Sequence, residues 1–504
     1  MRKKKKKSIE ELLEEALVSK EEQPYQVPKN WVWVRLESIS NKITDGAHKT
    51  PVYTEKGVPF ISVKDIDNGK ISFENTKFIS EDTHLELIKR CHPQKGDILV
   101  TKSGTIGRTA VVDTDIPFSL FVSVALIKPI QSIINSKFLS YYLNYAINQI
   151  VGKKYIKGSS IQNLHLTEIK KIEVPLPPVD EQNQIVKKLD HLFVKIDKVK
   201  QFIDEVKESF ELRRAAILDK AIKGKLVEQD TREESATSLL AKVEIEREKL
   251  IKEKKLKKKN IEPIKPEEIP YDIPRNWAWV RLEQITDLSD NAIRRGPFGS
   301  AITKEMFVPK GENTYKVYEQ KNAIQQNAFL GDYYISEEKY NSLVSFRVLP
   351  GDIIVSCAGT IGKTFIIPDD APAGIINQAL LKIRLNNSVI DNEYFLYLFE
   401  ALLLKHIHQT AKGSAIKNMV SVDYLKKTLL IPLPPIMEQK RIVEKLNFIL
   451  DNIKKEQEYI ESLESELEIL KQSILNKAFR GKLGTNDPTE ESVIELLKEV
   501  LQSK

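Results

Sequence analysis

The sequence predicts an α+β protein with two mixed α/β globular units, two long helices that pack on each other as a coiled coil, and a pseudo-two-fold internal repeat. Three observations support this fold class. Apolar residues alternate three and four positions apart over residues 180–224, as in a coiled-coil seam. The same pattern returns 257 positions later, from Ile442 to Ile474. Most of the chain outside these helices also repeats, which indicates a duplicated architecture.

The two long helices each run for roughly 43 residues, which at about 1.5 Å per residue is on the order of 65 Å. An isolated helix of this kind leaves its apolar stripe in water, so we expect the two to pack together. For a single copy, a core helix of an ordinary bundle explains the stripe equally well, but duplication in register favours a helix pair. The match has two departures, Val199 against Glu456 and Arg213 against Leu470, which we expect near the surface.

The repeat consists of matching motifs whose separation grows from 246 to 257 positions. The matching segments are residues 24–36 with 270–282, 96–107 with 351–362, and 158–161 with 413–416. About eleven additional residues therefore lie in loops of the second unit. Residues 49–86 show no visible counterpart in residues 294–343, so we expect one scaffold with two different surfaces.

A shorter motif occurs three times, and each copy has a serine before a short amphipathic helix. These N-cap candidates are Ser8, Ser235 and Ser492. Because the chain ends with the motif that opens it, the order of elements is cyclic, which is why we predict a pseudo-two-fold relation between the halves.

Composition sets the broad class of protein. A length of 504 residues with 41% hydrophobic residues allows about three domains with real cores. The net charge of +7 and pI near 8.9 suggest a polyanionic partner without deciding the matter. Two unrelated cysteines argue against a disulfide framework and fit a reducing cytoplasm. We find no secretion signal and no run of 18 apolar residues, so we predict no membrane span.

Within the globular units, short β-type segments alternate with turn glycines and a few helical patterns. Strands are predicted at residues 31–36, 59–63, 97–101, 109–112 and 122–127, and helices at 136–151 and 392–411. Residues 247–259 form a lysine-rich helical run followed by prolines. We interpret this run as an exposed linker, with phosphate contact as the alternative.

Catalytic and metal sites find little support in the residues. Gly362-Lys363-Thr364 lacks the opening glycine of a phosphate-binding loop, because Cys357 occupies that position, and a turn between two strands explains it better. The histidines have no suitably spaced third ligand: His84, His92, His406 and His408. No Ser, His and Asp constellation is visible. We therefore predict that the chain binds no metal and catalyses nothing by itself.

Basic and aromatic residues cluster beside turn glycines in both units, which favours a surface for phosphates and base edges. In the first unit the candidate DNA-binding residues are Lys64, Lys102, Ser103, Arg108, Lys153, Lys154, Tyr155 and Lys157. In the second unit they are Arg294, Arg295, Lys316, Tyr318, Lys321, Lys363, Lys412 and Lys417. Each of them taken alone is more typical of a solvated surface side chain.

Four motifs together resemble a known family. They are Pro-x-Asn-Trp-x-Trp-Val-Arg-Leu at 28–36, Gly-Asp-Ile-Leu-Val with Ser-Gly-Thr-Ile-Gly at 96–107, Gly-Ser-Ser-Ile-Gln-Asn-Leu at 158–164, and Pro-Leu-Pro-Pro-Val-Asp-Glu-Gln at 175–182. The chain resembles the specificity subunit of a type I restriction-modification enzyme over nearly all of its length. The most diagnostic positions are Glu181-Gln182 and Glu438-Gln439.

The resemblance implies two target-recognition domains, each reading one half of an asymmetric bipartite site in double-stranded DNA, and long helices paired antiparallel to fix their separation. The implied domains are a cap helix at 1–23, recognition domains at 24–179 and 270–435, a central helix, cap helix and linker at 180–269, and a C-terminal helix and cap helix at 436–504. The base-contacting residues of the family lie in variable segments, so the residues proposed above rest on their chemistry alone.

The resemblance also implies partner subunits. Two methyltransferase subunits, which bind S-adenosylmethionine for adenine methylation, would dock on this chain, and endonuclease subunits using ATP and Mg²⁺ would join for cleavage. No cofactor is expected on this chain itself. Two alternatives are a coiled-coil adaptor without DNA affinity, which leaves the two elaborate units unexplained, and an enzyme of unrecognised type, for which no polar constellation recurs.

Overall fold

A computed structural model of the protein describes residues 7–67, 69–156, 163–258, 261–410 and 422–503. None of the helices in these ranges is both long enough and apolar enough to cross a lipid bilayer.

The first half of the described chain alternates short strands with helices and ends in a long helix, and the predicted strands and helices are confirmed with shifts of a few residues at their ends. Its elements are α1 (Ile9–Ala16), β1 (Val32–Arg35), β2 (Ser40–Asp45), β3 (Val58–Ile61), β4 (Ile66–Asp67), β5 (Lys70–Ile71), β6 (Lys77–Ile79), α2 (Glu81–Ile88), β7 (Ile98–Thr101), β8 (Thr109–Val111), β9 (Ser119–Leu120), β10 (Val124–Pro129), α3 (Ser136–Ile156), α4 (Leu166–Lys170), β11 (Glu173–Leu176) and α5 (Val179–Ile222).

The second half follows the same plan. Its elements are α6 (Ala236–Lys252), β12 (Ala278–Arg281), β13 (Ile293–Arg295), β14 (Thr314–Tyr318), α7 (Gln320–Ile324), β15 (Tyr334–Ser336), α8 (Glu337–Ser342), β16 (Arg347–Val348), β17 (Ile353–Ser356), β18 (Thr364–Ile366), β19 (Gly374–Ile376), β20 (Leu380–Ile383), α9 (Asn392–Thr410), α10 (Val422–Thr428), β21 (Leu430–Leu433), α11 (Ile436–Phe479) and α12 (Ile494–Ser503).

The chain divides into two compact units. Unit 1 consists of Met1–Asp204 together with Glu461–Lys504, and unit 2 consists of Glu205–Ile460. The long helices α5 and α11, each of 44 residues, therefore contribute to both units. Unit 1 is built from two separate stretches of sequence, whereas unit 2 is continuous.

Each unit contains a central antiparallel sheet with the same strand order. The order is β2-β10-β7-β8 in unit 1 and β13-β20-β17-β18 in unit 2. In unit 1, Ile98 and Val100 belong to the core shared with the helices, while Leu99 belongs to a second core on the opposite face. Because the middle of the sheet is buried on both faces, its central strands β7 and β10 consist mainly of continuous apolar runs instead of alternating ones.

A second pair of strands attaches each globular unit to its long helix. In unit 1, β1 pairs antiparallel with β11, and Trp33 lies opposite Pro175. In unit 2, β12 pairs with β21, and Trp279 lies opposite Pro432. The Trp-x-Trp and Pro-Leu-Pro-Pro motifs of the sequence are therefore neighbouring strands.

A third sheet corrects one of our sequence interpretations. Residues 49–86 and 294–343 do have counterparts, because β3 pairs antiparallel with β6 and parallel with β9, as β14 pairs with β15 and β19. A helix follows in both units, capped by Ser80 in one and by Ser336 in the other. An Ile-Ser dipeptide precedes both helices, Ile79-Ser80 and Ile335-Ser336, and a match of two residues is too short to indicate the correspondence from sequence alone.

The long helices pack in the same way inside each unit. In unit 1, Ile185 and Leu189 near the start of α5 share a core with Phe479 at the end of α11. In unit 2, Leu218 near the end of α5 shares a core with Ile442 and Leu446 near the start of α11. Within each unit, the beginning of one long helix thus lies by the end of the other.

The expected departures from the seam are exposed, as predicted. Val199 and Leu470 retain 44% and 48% of their accessible surface. In unit 2, Arg213 Nη1 donates to Glu456 Oε2 at 2.6 Å, so the two polar departures form one ion pair between the long helices.

Two of the three predicted serine caps are confirmed. Ser8 accepts a hydrogen bond from the Glu11 amide, and Ser235 accepts one from the Ser238 amide. The third helix begins two residues after Ser492. Helices α1 and α12 pack on each other in unit 1. The lysine-rich helix α6 ends at Lys252, earlier than the sequence suggested.

Candidate nucleic-acid interface

The Glu-Gln pair at the start of each long helix ties that helix to its globular unit. In unit 1 the Gln182 side chain is fully buried. Its Oε1 accepts from the Asn135 amide at 2.7 Å, and its Nε2 donates to the carbonyls of Ile133 and Pro177 at 3.0 and 2.9 Å. One amide side chain thus satisfies three backbone groups at the junction between α3, β11 and α5.

Unit 2 repeats this junction almost atom for atom. Gln439 Oε1 accepts from the Asp391 amide at 2.7 Å, and Nε2 donates to Val389 and Pro434 at 2.8 and 2.9 Å. A buried amide with this number of backbone partners has few possible replacements, which accounts for the presence of glutamine in both copies.

The neighbouring glutamate holds the Trp-x-Trp strand. Trp31 Nε1 donates to Glu181 Oε2 at 2.6 Å, and Trp277 Nε1 donates to Glu438 Oε2 at 3.0 Å. Gln229 Nε2 completes the second site with a 2.6 Å bond to Glu438 Oε1. Burial raises the pKa of the Glu438 carboxyl above its usual value, although these donors oppose the shift.

In the central sheet of unit 1, the Gly-Thr-Ile-Gly turn joins β7 to β8. Thr101 Oγ1 donates to the Thr105 carbonyl at 2.6 Å and accepts from the Arg108 amide at 2.9 Å. The Gly107 amide donates to the Thr101 carbonyl at 3.0 Å, and Gly107 has a φ of +93°. The turn is therefore closed by its own hydrogen bonds, and Arg108 is placed at its end.

The corresponding turn in unit 2 has the same bonds. Ser356 Oγ donates to the Thr360 carbonyl at 2.6 Å and accepts from the Lys363 amide at 2.9 Å. Gly362 donates to the Ser356 carbonyl at 2.9 Å. The interpretation of Gly362-Lys363-Thr364 as a turn between strands is confirmed, and Lys363 occupies the position of Arg108.

A helical turn lies beside each Gly-Thr-Ile-Gly turn. A Cβ built on Gly104 lies 3.7 Å from Val63, and one built on Gly359 lies 3.6 Å from Gln320. The next residue is a lysine in both units, Lys64 or Lys321, and both are exposed. We call the two loops of each unit together its turn surface: residues 62–67 with 102–108 in unit 1, and 319–324 with 357–363 in unit 2.

Three cations of the turn surfaces, Arg108, Lys64 and Lys321, bind carboxylates or backbone carbonyls of their own unit. Arg108 Nη1 lies 3.2 Å from Asp67 Oδ1 and donates to the Ile66 carbonyl at 3.2 Å. Lys64 Nζ donates to the Asn75 carbonyl at 2.6 Å. Lys321 Nζ lies 2.8 Å from Glu319, and this hydrogen bond raises the lysine pKa. The side chains of Arg108, Lys64 and Lys321 are 40%, 52% and 43% exposed, so they are still accessible to a phosphate.

Three of the predicted residues are buried. Lys102 is 8% exposed, with Nζ 3.3 Å from Asp45 Oδ2. Lys316 is fully buried and donates to the Gly331 carbonyl at 2.9 Å, and desolvation lowers its pKa. Tyr318 is also fully buried and donates to the Pro372 carbonyl at 2.6 Å. In this structure Lys316 and Tyr318 are part of the core of unit 2.

Of the remaining described candidates, Ser103 lies in the loop after β7, whereas Arg294 and Arg295 lie on the edge strand β13. Ser103 forms an isolated β-bridge with Asn163. The Arg294 guanidinium stacks 4.6 Å over Phe346, and Arg295 lies 5.2 Å from the exposed ring of Phe298.

For six of the predicted residues, no side chain is described. Lys153, Lys154 and Tyr155 belong to α3, but their side chains are not described. Lys157, Lys412 and Lys417 lie outside the described residues. The prediction that these six contact DNA stays a prediction.

Sequence reasoning missed a charged cluster at the end of β2. Asp45 is bonded there by Arg90 and lies 3.1 Å from His48 Nε2. Arg90 is 45 positions from Asp45 and none of the three residues belongs to a motif, so only the fold brings Arg90 to this carboxylate.

The described part of the chain has no group of three or more His, Cys, Asp and Glu side chains arranged to hold a metal ion. The prediction that no metal binds stays a prediction. Both cysteines are buried, and burial raises the pKa of Cys91 to about 12 and that of Cys357 to about 11. Neither thiol is therefore suited to act as a nucleophile near neutral pH.

Comparison with known proteins agrees with this architecture. The family model described as "Type I restriction modification DNA specificity domain" matches residues 28–208 and 274–465, well over half of the chain. The two matched ranges correspond to the two halves of the repeat.

Several curated relatives are specificity subunits. The chain is 24% identical over 469 residues to the putative type I restriction enzyme MjaX specificity subunit of Methanocaldococcus jannaschii, covering 91% of this chain and 95% of that protein. It is 30% identical over 232 residues to the EcoBI specificity subunit of Escherichia coli, covering 44% of this chain and 49% of the relative. This second alignment spans about half of each protein.

Solved structures share the fold. One, from work on complex assembly and conformational transition of the type I R-M system, has a TM-score of 0.62 at 22% identity and covers 91% of this chain and 100% of its own. The HsdS subunit from Thermoanaerobacter tengcongensis has a TM-score of 0.50 at 20% identity, covering 91% and 99%. With the family match over both halves, the chain belongs to the family of type I restriction-modification specificity subunits, the non-catalytic DNA-recognition components of these enzymes.

Proposed function

We propose that this protein binds an asymmetric bipartite site in double-stranded DNA and that each unit reads one half-site. One observation carries the proposal. The two turn surfaces have the same backbone bonds and place a cation at matching positions, Arg108 with Lys363 and Lys64 with Lys321. Phosphate contacts fix the register of a protein on DNA without reading its sequence. Cations at matching positions of both turn surfaces therefore suit one scaffold that binds the DNA backbone in the same way in each unit, while the other surface residues differ and read different sequences.

The exposed cations of the turn surfaces are the proposed phosphate contacts. Lys316 and Tyr318 are left out of the proposal because both are fully buried and bonded to backbone carbonyls. Arg294 and Arg295 stay in the proposed DNA-binding surface, since both are partly exposed at the edge of a sheet.

We also propose that α5 and α11 form an antiparallel coiled coil and that the two units are related by a pseudo-two-fold axis. The support is internal to each unit: the start of one long helix packs by the end of the other, and the Glu-Gln junctions have equal hydrogen bonds. The spacing between half-sites would then follow the length of these helices.

Partner subunits complete the proposed activity. We propose that two methyltransferase subunits carrying S-adenosylmethionine dock on this chain in the cytoplasm, and that endonuclease subunits using ATP and Mg²⁺ join them. One solved structure with this fold comes from work on assembly of the type I R-M system, which supports a multisubunit setting.

A gel-shift assay of the full chain, with and without methyltransferase subunits, tests the proposal together with genome-wide mapping of methylated adenines in cells with and without the gene. We expect one bipartite methylated motif that depends on the gene. A coiled-coil adaptor without DNA affinity would give neither a shift nor a motif, and that result would overturn the proposal.

An exchange experiment tests the assignment of one unit to one half-site. Replacing residues 31–175 by the corresponding segment of another specificity subunit should change one half-site of the methylated motif and leave the other unchanged. A change in both half-sites, or in neither, would contradict the assignment.

A further inference from the structure

At the end of β2, unit 1 has a buried carboxylate, Asp45, that is surrounded by one buried and two exposed basic side chains. The Asp45 side chain is only 3% exposed, and Arg90 Nη2 donates to its Oδ1. His48 Nε2 lies 3.1 Å from the same oxygen, and Lys102 Nζ lies 3.3 Å from Oδ2. The side chains of Arg90 and His48 are 53% and 59% exposed. The carboxylate is thus inside the protein and orients two groups that reach the surface.

Strand register places a different residue at the same position in unit 2. Asp45 lies opposite Ala125 on β10, and Arg295 lies opposite Leu381 on the equivalent strand β20. A glycine follows each, Gly46 or Gly296. A Cβ there would lie 2.0 Å from the Leu120 carbonyl oxygen in one unit and 1.9 Å from that of Asn377 in the other. This close approach fixes the position of both segments against a neighbouring strand.

The end of β2 in unit 1 and the end of β13 in unit 2 carry side chains of opposite charge. Unit 1 has the Asp45 carboxylate beside Lys102, the first residue after β7. Unit 2 has the Arg295 guanidinium near Cys357, the first residue after β17, and this positive charge opposes the rise in the pKa of the thiol. The 63% exposed ring of Phe298 also accompanies Arg295. A purely structural role would favour the same solution in both copies, as at the Glu-Gln junctions, so the reversal points to function.

Both segments adjoin the turn surfaces. Lys102 begins the 102–108 loop, and its amide donates to the Ser123 carbonyl at 2.9 Å, as the Cys357 amide donates to Ala379 at 2.8 Å. Side chains at the ends of β2 and β13 therefore lie beside the first residue of the 102–108 loop in unit 1 and of the 357–363 loop in unit 2. An arginine held by a carboxylate keeps its planar fork oriented, which suits bidentate contact with the O6 and N7 of guanine.

We propose that these segments determine the sequence specificity of the protein. In unit 1, Arg90 and His48 read a guanine-containing base pair of one half-site through the major groove, and Asp45 is the residue that positions them. In unit 2, Arg295 reads a guanine of the other half-site, with Phe298 packing beside it. This inference rests on the proposed function, because it assigns the reading of each half-site to particular residues.

The test uses the full chain with its methyltransferase subunits and a set of duplexes carrying the mapped wild-type motif, with each base pair replaced singly. Arg90→Lys keeps the charge but loses the bidentate fork. We expect it to reduce discrimination at one position of one half-site by about tenfold or more, with the other half-site unchanged. Arg295→Lys should have the same effect on the other half-site.

A matched control is the neighbouring Lys89, whose side chain is 70% exposed and paired with Glu86. Lys89 and Arg90 both follow the end of α2. Lys89→Ala removes one positive charge beside Arg90, and we expect any loss of affinity to be the same for all duplexes. Asp45→Asn tests positioning. It should reduce discrimination at the position affected by Arg90→Lys while the salt dependence of binding stays unchanged.

The possible outcomes distinguish a failure of the proposed function from a failure of the assignment of Arg90 and Arg295 to base reading. If the wild type yields no methylated motif, the proposed function fails. If it yields a motif but Arg90→Lys and Arg295→Lys leave every position unchanged, or weaken all positions equally, the assignment of these residues fails. Circular dichroism checks folding of each variant. Should Asp45→Asn not fold, the variants of the exposed Arg90 and the partly exposed Arg295 decide the question by themselves.

Discussion

Units 1 and 2 agree where they bind their long helices and differ where they face outward. Gln182 and Gln439 make the same three hydrogen bonds, within 0.2 Å of one another. At the end of β2 and β13, in contrast, Asp45 corresponds to Arg295. Contacts that satisfy buried backbone groups have few alternatives. The ends of β2 and β13, in contrast, carry a buried carboxylate in one unit and a partly exposed guanidinium in the other at the same strand register. The comparison shows which part of the duplication is constrained by folding and which part is open to specialisation.

The largest effect is expected at the glycines that end the long helices. Gly224 has φ +67°, and a Cβ there would lie 2.4 Å from Pro274 Cγ; Gly481 has φ +66°, with its Cβ 2.3 Å from Pro28 Cγ. Gly224→Ala should destabilise unit 2, and Gly481→Ala unit 1, each by about 2–4 kcal/mol from backbone strain plus the clash. Thermal unfolding followed by circular dichroism measures both.

The control for these variants is Gly299→Ala, since Gly299 has φ +62° but nothing within 4 Å of its Cβ position. It should cost only the backbone strain, about 1 kcal/mol. Equal losses at Gly224 and Gly299 would mean that contact with Pro274 does not matter.

A second difference between the units is a buried lysine. Lys382 occupies the strand position of Leu126, is 1% exposed, and donates to the Arg347 carbonyl at 2.7 Å. Desolvation lowers its pKa to about 8. Below that pH the folded protein carries a poorly solvated charge, so Lys382→Leu should stabilise unit 2 by about 2 kcal/mol at pH 7.

The pH dependence has a definite sign. Between pH 8 and about 10.4 the unfolded chain binds the Lys382 proton and the folded chain does not, so stability should rise with pH in this window. The variant should lose that rise, whereas replacement of the exposed Lys304 by leucine should retain it. A wild-type stability that falls steadily from pH 8 to 10 would contradict the assigned cause.

The turn surfaces are expected to contribute equally despite their different cations. Arg108→Ala and Lys363→Ala should each reduce the slope of log affinity against log salt by about one, as expected for loss of a single phosphate contact. Gel shifts between 50 and 200 mM salt provide the measurement. Lys137→Ala is the control, because Lys137 pairs with Asp190 on α5 at 2.7 Å and lies outside the turn surface. If one variant changes the slope and the other does not, the two surfaces are not equivalent in function.

The smallest effect is expected at the ion pair between the long helices. The positions of Arg213 and Glu456 in unit 2 correspond to Leu470 and Val199 in unit 1. Replacing Arg213→Leu and Glu456→Val together copies the apolar pair into unit 2 and should change the melting temperature little, because exposed ion pairs contribute little. The single variants should show a coupling that disappears in high salt, and coupling that persists in 1 M salt would indicate a stronger contact than this geometry implies.

The repeat itself was readable from the sequence because it consists of residues with few substitutes. The Trp-x-Trp strand, the turn glycines and the Glu-Gln pair recur unchanged, and the two long helices follow from their apolar spacing. These features predicted the two long helices and the three cap helices, and turn signals with apolar segments predicted the main strands of the first unit.

What the sequence could not reveal depends on distant residues meeting in space. Lys316 and Tyr318 looked like surface residues, yet β14 lies between two other strands of its sheet and both side chains are buried. The correspondence of Asp45 to Arg295 required the strand register, because the separation between the halves changes between β1 and β2. Propensity and periodicity carry no information about either fact.

The divided construction of unit 1 has a consequence for synthesis on the ribosome. Unit 1 needs the last 44 residues of the chain, since Phe479 and Leu497 belong to its main core together with Trp31 and Ile185. At about 5–20 residues per second, residues 1–204 wait roughly 15–60 s for that segment to be made. Unit 2, although it begins later, has all of its chain sooner. The nascent protein therefore passes through a stage in which its second unit can fold while its first still exposes an incomplete apolar core. Chaperone binding should concentrate on that first unit until residues 461–504 have been made.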